Sequence, residues 1–220
     1  MAKSLENGHQ VRLLVRNPEK AKKALKMHSL ESDTVEIIYA DLEDEATLEN
    51  ALDGVDFLLH AAAIFSLSPL DAKLMLKVNP TSTRALLSAA ANHNLKKTVY
   101  VSTMGVFAPI DGGDIDENTE TSTGLGPYTK SKIESEKIAR EYQANGLPLN
   151  IVYTGGIFGP VDPNPELSDS MGMLAEILKR NVGLSAKAAK LAMVDVRDVA
   201  EVCVGALTSE TQPTRYHVWG

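Results

Sequence analysis

Two stretches of this chain hold side chains that can exchange a proton with a carbonyl or an alcohol. The first, Thr98-Val-Tyr-Val-Ser-Thr103, is a strand-like run that ends in two hydroxyls; the second, Tyr128-Thr-Lys-Ser-Lys132, begins 25 positions beyond the last of them. On a helix, residues four apart share a face, so the Lys132 ammonium is expected to lie near the Tyr128 phenol and favour its ionised form. A tyrosine tuned in this way passes a proton to or from a substrate oxygen near neutral pH. The Thr103 hydroxyl, bonded to the same oxygen, would hold the reacting carbon within reach of a hydride donor. That is reductase chemistry without a metal. The five histidines are scattered and no His, Cys, Asp or Glu cluster has ligand spacing, so no metal is expected.

A Tyr-x-x-x-Lys spacing is short, and its weight depends on the elements around it. Apolar runs read as strands at 11–16, 34–41, 55–62, 98–103 and 149–155, each β-branched or leucine-rich and bounded by turn residues. Helical patterns lie between them at 18–27, 43–52, 71–93 and 127–145. Pro18 suits a first helical turn, and Asn145-Gly146 suits a helix stop. Strands apolar on both faces, alternating with helices, predict a doubly wound α/β domain with a parallel sheet covered on both sides. After Gly159-Pro160 the composition turns to Pro, Asp and Asn, which predicts a loop, then a helix near 170–181. A strand-to-helix segment from Ala192 through Leu207 and a last strand at 215–219 follow. The expected division is a dinucleotide-binding region over 1–160 and a partial substrate-binding region over 161–220.

Composition narrows the function classes. A net charge of −7 gives no basic surface for nucleic acid, and the lysines at 20, 22, 23 and 26 read as a solvated helix face. Cys203 lies in the apolar run Val202-Cys-Val204 and reads as a core position rather than a nucleophile. No run has the length of a membrane span and the first residues lack the apolar stretch of a signal peptide, so the expected location is the cytoplasm. The expected partner is a small-molecule carbonyl or alcohol substrate, with no nucleic acid and no membrane; a homodimer is compatible with this reading.

The chain resembles the extended short-chain dehydrogenase/reductase family, nearest its dihydroflavonol-reductase-like and NAD-dependent epimerase/dehydratase-like branches. The resemblance runs through landmarks in the family's order: Gly8 through Pro18, Ala40-Asp41-Leu42, His60-Ala-Ala-Ala63, Val78-Asn79, the hydroxyl with the Tyr-Lys pair, Gly155-Gly-Ile-Phe-Gly-Pro160 and Val194-Asp-Val-Arg-Asp198. It implies a Rossmann-like sheet, with Tyr128 as general acid/base and Lys132 lowering its pKa while holding the nicotinamide ribose. Thr103 would orient the substrate oxygen; Ser102 is adjacent, but the position of Val106-Phe107 favours Thr103. Asp41 and Leu42 would touch adenine, and Ala61, Ala62 and Ala63 would pass along the cofactor. Asn79 either shapes the helix around the site or is a helix asparagine before Pro80.

The chain departs from the family at the pyrophosphate cradle. Relatives begin with a strand and a Gly-x-x-Gly-x-x-Gly turn, whose amides and helix N-terminus receive the pyrophosphate. Here Met1 to Gly8 already reads as the remainder of the following helix, while Gly124-Leu-Gly126 and Gly155-Gly156 with Gly159 read as loop glycines with backbone freedom. The missing strand belongs in the middle of the sheet, and each buried group left without a partner costs about 1–3 kcal/mol. The expectation is a fragment or a misplaced start, with weak dinucleotide binding and impaired activity. The resemblance also implies further substrate-binding residues beyond a strand like 215–219, so an incomplete substrate pocket is expected.

Enzymes preferring NAD place an acidic residue at the end of the second strand, against the adenosine ribose. This chain has Arg16, with Lys20 nearby, which suits a 2′-phosphate and predicts NADP(H), with NAD(H) as the other dinucleotide. The predicted function is hydride transfer between NADPH and a ketone or secondary alcohol. A nucleotide-sugar epimerase holding NAD tightly and a non-catalytic dinucleotide-binding module are the alternatives. Met104-Gly105 after the strand-end threonine, in place of an Asp-Glu pair, argues against dehydration. Thr154 stands where many relatives carry proline, and the acidic stretch 111–117 either borders the substrate entrance or is a solvated loop.

Overall fold

Helix boundaries follow the capping signals. In the computed structural model, which describes residues 1–40, 44–66, 68–108, 114–161 and 192–219, Asn17 caps helix α2 (Pro18–Met27) by accepting the Lys20 amide at 3.0 Å. Pro18 holds the first helical position, where its missing N–H has no intrahelical role. The other helices are α1 (Ala2–Glu6), α3 (Glu45–Leu52), α4 (Ala72–Asn92), α5 (Pro127–Ala144) and α6 (Val196–Thr208). Helix α5 ends at Asn145, and Gly146 follows with φ +97°, a left-handed conformation that glycine adopts without a Cβ clash. The helix expected at 170–181 lies outside the described residues.

The strands are β1 (Arg12–Val15), β2 (Glu36–Tyr39), β3 (Phe57–His60), β4 (Lys97–Thr103), β5 (Leu149–Thr154), β6 (Gly156–Phe158), β7 (Met193–Asp195) and β8 (Arg215–Val218). A four-stranded sheet runs β3-β4-β5-β8, and every pairing in it is parallel. Strands β1 and β2 form a separate parallel pair, as do β6 and β7. Among the described residues no strand joins β1 to β3, so these two present separate edges, in line with a Rossmann-like sheet that lacks its central strand.

Successive residues of a strand face opposite sides, and the core divides accordingly. On one side Tyr100, Leu149, Ile151 and Tyr153 pack with Leu86, Leu87 and Ala90 of α4 and Ile133 and Ala139 of α5. On the other, Val99, Val152 and Val218 pack with Val199 and Cys203 of α6. Both faces are therefore covered, which explains why all six residues of β5 are buried. Burial pushes the Cys203 thiol up to about 11, in keeping with a core position.

Strand β6, of only three residues, lies where loop glycines are expected. Gly156 within it and Gly155 before it serve close approach rather than backbone freedom. A Cβ on Gly155 would lie 2.6 Å from the Ala192 carbonyl oxygen, so a larger residue there would push the chain entering β6 away from β7; one on Gly156 would lie 2.7 Å from Met193 Sδ, a side chain that can give way. At the β7–α6 junction Asp195 caps the helix through the Arg197 amide at 2.8 Å. Its hydrogen bonds to the Arg197 side chain hold the carboxyl down at about 2.

Candidate active site

Parallel strands bring their carboxyl ends to one edge of the sheet, the usual place for a ligand in such folds. Thr103 is the last residue of β4. Its Oγ1 accepts the Gly105 amide at 3.2 Å and caps the short 3-10 turn Met104–Phe107. The O–H itself is left available to donate. Ser102 points to the opposite face of the strand, is buried, and its Oγ has no hydrogen-bond partner among protein atoms. Thr154 pairs with Thr103 in register, and its hydroxyl lies 3.4 Å from the Ser102 carbonyl oxygen, so the residue in the proline position continues the sheet's edge.

Tyr128 sits in the first turn of α5, behind Pro127. Its ring packs edge-on against Phe65 at 4.5 Å, in the segment that follows β3. Lys132, one turn later, is 3 % exposed. Its Nζ donates to the Val101 carbonyl at 2.9 Å and lies 4.4 Å from the centre of the Tyr100 ring. The start of α5 thus lies beside the end of β4: a Cβ on Gly105 would be 3.5 Å from Thr103 Oγ1 and 3.8 Å from Thr129 Oγ1. Thr103, Tyr128 and Lys132 thus stand on two elements that meet at one corner of the sheet.

The phenol's acidity moves against the direction expected from the Tyr-Lys spacing. Burial pushes Tyr128 up to about 12. Lys132 is itself pushed down to about 8 by burial, against the opposing pull of the Glu136 carboxylate, and its hydrogen bond goes to β4. Desolvation of both groups outweighs the attraction of helical neighbours. Tyr128 is therefore a protonated donor at neutral pH.

Asn79 brackets the site from α4. It is 2 % exposed. Its Oδ1 accepts the Ile64 amide at 2.7 Å, and its Nδ2 donates to the Ile64 carbonyl and to Ser131 Oγ, each at 2.9 Å. Ser131 in turn donates to the Tyr128 carbonyl at 2.7 Å. One side chain thus ties the segment after β3 to the first turn of α5, which favours the site-shaping reading of Asn79. His60, at the end of β3, meets Thr83 Oγ1 at 3.2 Å. Burial, with the Lys132 charge second, holds the imidazole down to about 3, so it is neutral.

Sequence reasoning missed Glu136 and Phe65. Glu136 is 0 % exposed, and its Oε1 accepts from the Tyr153 hydroxyl and from Arg140 Nε at 3.0 Å. The four-residue spacing that links Tyr128 to Lys132 continues to Glu136 and Arg140 and was the available signal. Phe65, alone in a loop, gave none.

On the cofactor side, Arg16 follows β1 directly and shares a cavity of about 430 Å³ with Ala61, Ala62 and Ala63. Asn79 lines the same cavity and leads from it to Ser131 and Tyr128. Asp41 and Leu42 lie outside the described residues, as do residues 111–113 of the acidic stretch. In its described part, Asp116 accepts the Asn118 amide at 2.9 Å and closes a turn. A second cavity of about 440 Å³ lies by Phe158, Asp195, His217 and Trp219. Among the described residues no group of three or more His, Cys, Asp or Glu could hold a metal, and no helix is long and apolar enough to cross a membrane.

The chain is similar to several known proteins. A putative dihydroflavonol 4-reductase of Synechocystis is 29 % identical over 205 residues, 89 % of this chain and 55 % of that protein. Cinnamoyl-CoA reductase 2 of Arabidopsis thaliana is 30 % identical over 219 residues, 89 % of this chain and 61 % of that protein. The chain spans about half the length of the curated relatives it matches. A dTDP-glucose 4,6-dehydratase from Streptomyces venezuelae, solved with NAD bound, superposes with a TM-score of 0.79 at 23 % identity, over 99 % of this chain and 70 % of that one, a likeness of fold. The model of the NAD dependent epimerase/dehydratase family matches residues 1–218. This chain, with its parallel sheet and its tyrosine-lysine helix against the end of β4, belongs to that family.

Proposed function

We propose that the chain carries the hydride-transfer site of an NADP(H)-dependent reductase acting on a ketone or secondary alcohol. The observation that carries this reading is the Tyr128-Lys132 turn of α5 held against the end of β4, where Thr103 offers a free O–H. Bound NADPH would supply the hydride. Thr103 donates to the substrate oxygen and orients the carbonyl. Tyr128, whose phenol stays protonated to about 12, gives its proton to that oxygen as the carbon is reduced. Lys132, charged below about 8, stabilises the phenolate left behind and would hold the nicotinamide ribose. The Arg16 guanidinium would receive the 2′-phosphate through paired charge-assisted bonds. Phe65 beside Tyr128 supports an apolar group on the substrate next to its carbonyl.

Absorbance at 340 nm, followed with NADPH and a panel of aryl and alkyl ketones, tests the reading. Net oxidation in the wild type that is lost in Tyr128→Phe supports it. Interconversion of a sugar nucleotide with no net change at 340 nm would instead favour the epimerase alternative. The separation of the β1–β2 pair from the main sheet, together with the lack of a glycine-rich turn among the 220 residues, supports weak dinucleotide binding by this chain alone. A fluorescence titration giving tight NADPH binding would overturn that part.

A further inference from the structure

Tyr128, Lys132, Glu136 and Arg140 follow one another at intervals of one helical turn along the inner face of α5. The first two belong to the site proposed above; the third has no role in it, yet it is the most deeply placed carboxylate among the described residues. Glu136 is fully buried, one of its oxygens is engaged by Tyr153 and Arg140, and the other, Oε2, has no hydrogen-bond partner among protein atoms. Arg140 also donates to the Tyr153 hydroxyl at 3.1 Å, which closes a three-membered clamp. A buried carboxylate with an idle oxygen is costly.

We propose that Glu136 is a positioning residue of the hydride-transfer site: its clamped carboxylate, buried one helical turn from Lys132 on the same face of α5, is the counter-charge that keeps the Lys132 ammonium docked on the end of β4, without touching substrate or cofactor. This rests on the reading of Tyr128 and Lys132 given above. The surroundings leave Glu136 as the counter-charge. From β4, Lys132 faces the Val101 carbonyl and the Tyr100 ring; from β3 it faces a neutral His60; on its own helix it faces protonated Tyr128 and Glu136. From α4, the Thr83 hydroxyl meets His60 and the Asn79 amide meets Ser131. Around Glu136 stand Arg140, with Glu120 outside it at 3.6 Å, then Tyr153 and Tyr100. The carboxylate thus opposes the desolvation of Lys132.

The test is a direct titration of Lys132 by NMR of protein labelled at lysine Cε, with Lys132→Met to assign the signal. In wild type the midpoint is expected at about 8. In Glu136→Gln, which keeps the shape and removes the charge, it should fall by on the order of one unit, and the high-pH decline of turnover should start correspondingly earlier. Tyr153→Phe, which loosens the clamp but leaves the charge, should keep the wild-type midpoint. An unchanged midpoint in Glu136→Gln, with only a lower melting temperature, would overturn the proposal and leave Glu136 a packing group. Should that variant not fold, the pair Glu136→Met and Tyr153→Phe removes the carboxylate together with the buried hydroxyl that donates to it, and is held to the same midpoint shift. The titration is independent of turnover. Retained turnover in Tyr128→Phe therefore sinks the site reading alone, while an unmoved lysine sinks the role of Glu136 alone.

Discussion

Replacing Asn79 with alanine should loosen the cofactor-side segment and the first turn of α5 together. The substitution removes three hydrogen bonds at once: the Ile64 amide loses its acceptor, and the Ile64 carbonyl and Ser131 hydroxyl each lose a donor. Ser131 keeps its bond to the Tyr128 carbonyl, and Ile64 is only half-buried, so water can reach part of what is left. At about 0.5–1.5 kcal/mol for each net bond, the loss comes to about 1.5–4.5 kcal/mol. For a chain of this size that corresponds to a melting temperature lower by about 5–15 °C. Calorimetry or urea unfolding measures the stability, and a fluorescence titration with NADPH should show weaker binding, because Ala61 to Ile64 line the cavity that Asn79 holds in shape. An unchanged melting temperature with unchanged binding would refute the bracket and return Asn79 to being a helix residue that happens to precede Pro80.

Arg16→Glu should shift the ratio of NADPH to NADH efficiency toward NADH, since a carboxylate repels the 2′-phosphate and accepts from a free ribose hydroxyl; a ratio equal to wild type would count against the cofactor assignment. Lys132 also makes a prediction about stability. Its folded pKa lies at about 8, below the ordinary 10.5, so between these values the unfolded chain binds more protons and stability should rise with pH across that window. The difference in urea midpoint between pH 8 and pH 10 should be smaller in Lys132→Met, and an identical increment in both proteins would show that Lys132 is not buried in its charged form.

The helix at 18–27 was legible to the residue because an asparagine cap, a proline at the first turn and apolar spacing all agree, and each is a local property of the chain. Strands β3, β4 and β5 were legible for a related reason: runs apolar on both faces have few stable environments besides a sheet covered by helices. The pairing of β6 with β7 was not, since a three-residue strand has no period of its own and depends on a partner distant in the chain. The candidate site divides in the same way. Tyr128, Lys132 and Thr103 could be named because their spacing and order are written along the chain. Phe65 and the bracket made by Asn79 could not, because both are contacts between segments.

What the amino-acid sequence determined by itself is the alternation of strands and helices, the face that Tyr128, Lys132, Glu136 and Arg140 share, and the absence of a glycine-rich cradle from these 220 residues. What only the tertiary structure decided is the electrostatic outcome on that face. A helical spacing states which charges are neighbours, but it does not state how much water they lose. Burial raises the Tyr128 phenol and lowers the Lys132 ammonium, and packing seals Glu136 from solvent. Desolvation depends on everything packed around a group, and for that reason it reversed the direction that the tyrosine-lysine pair alone would give.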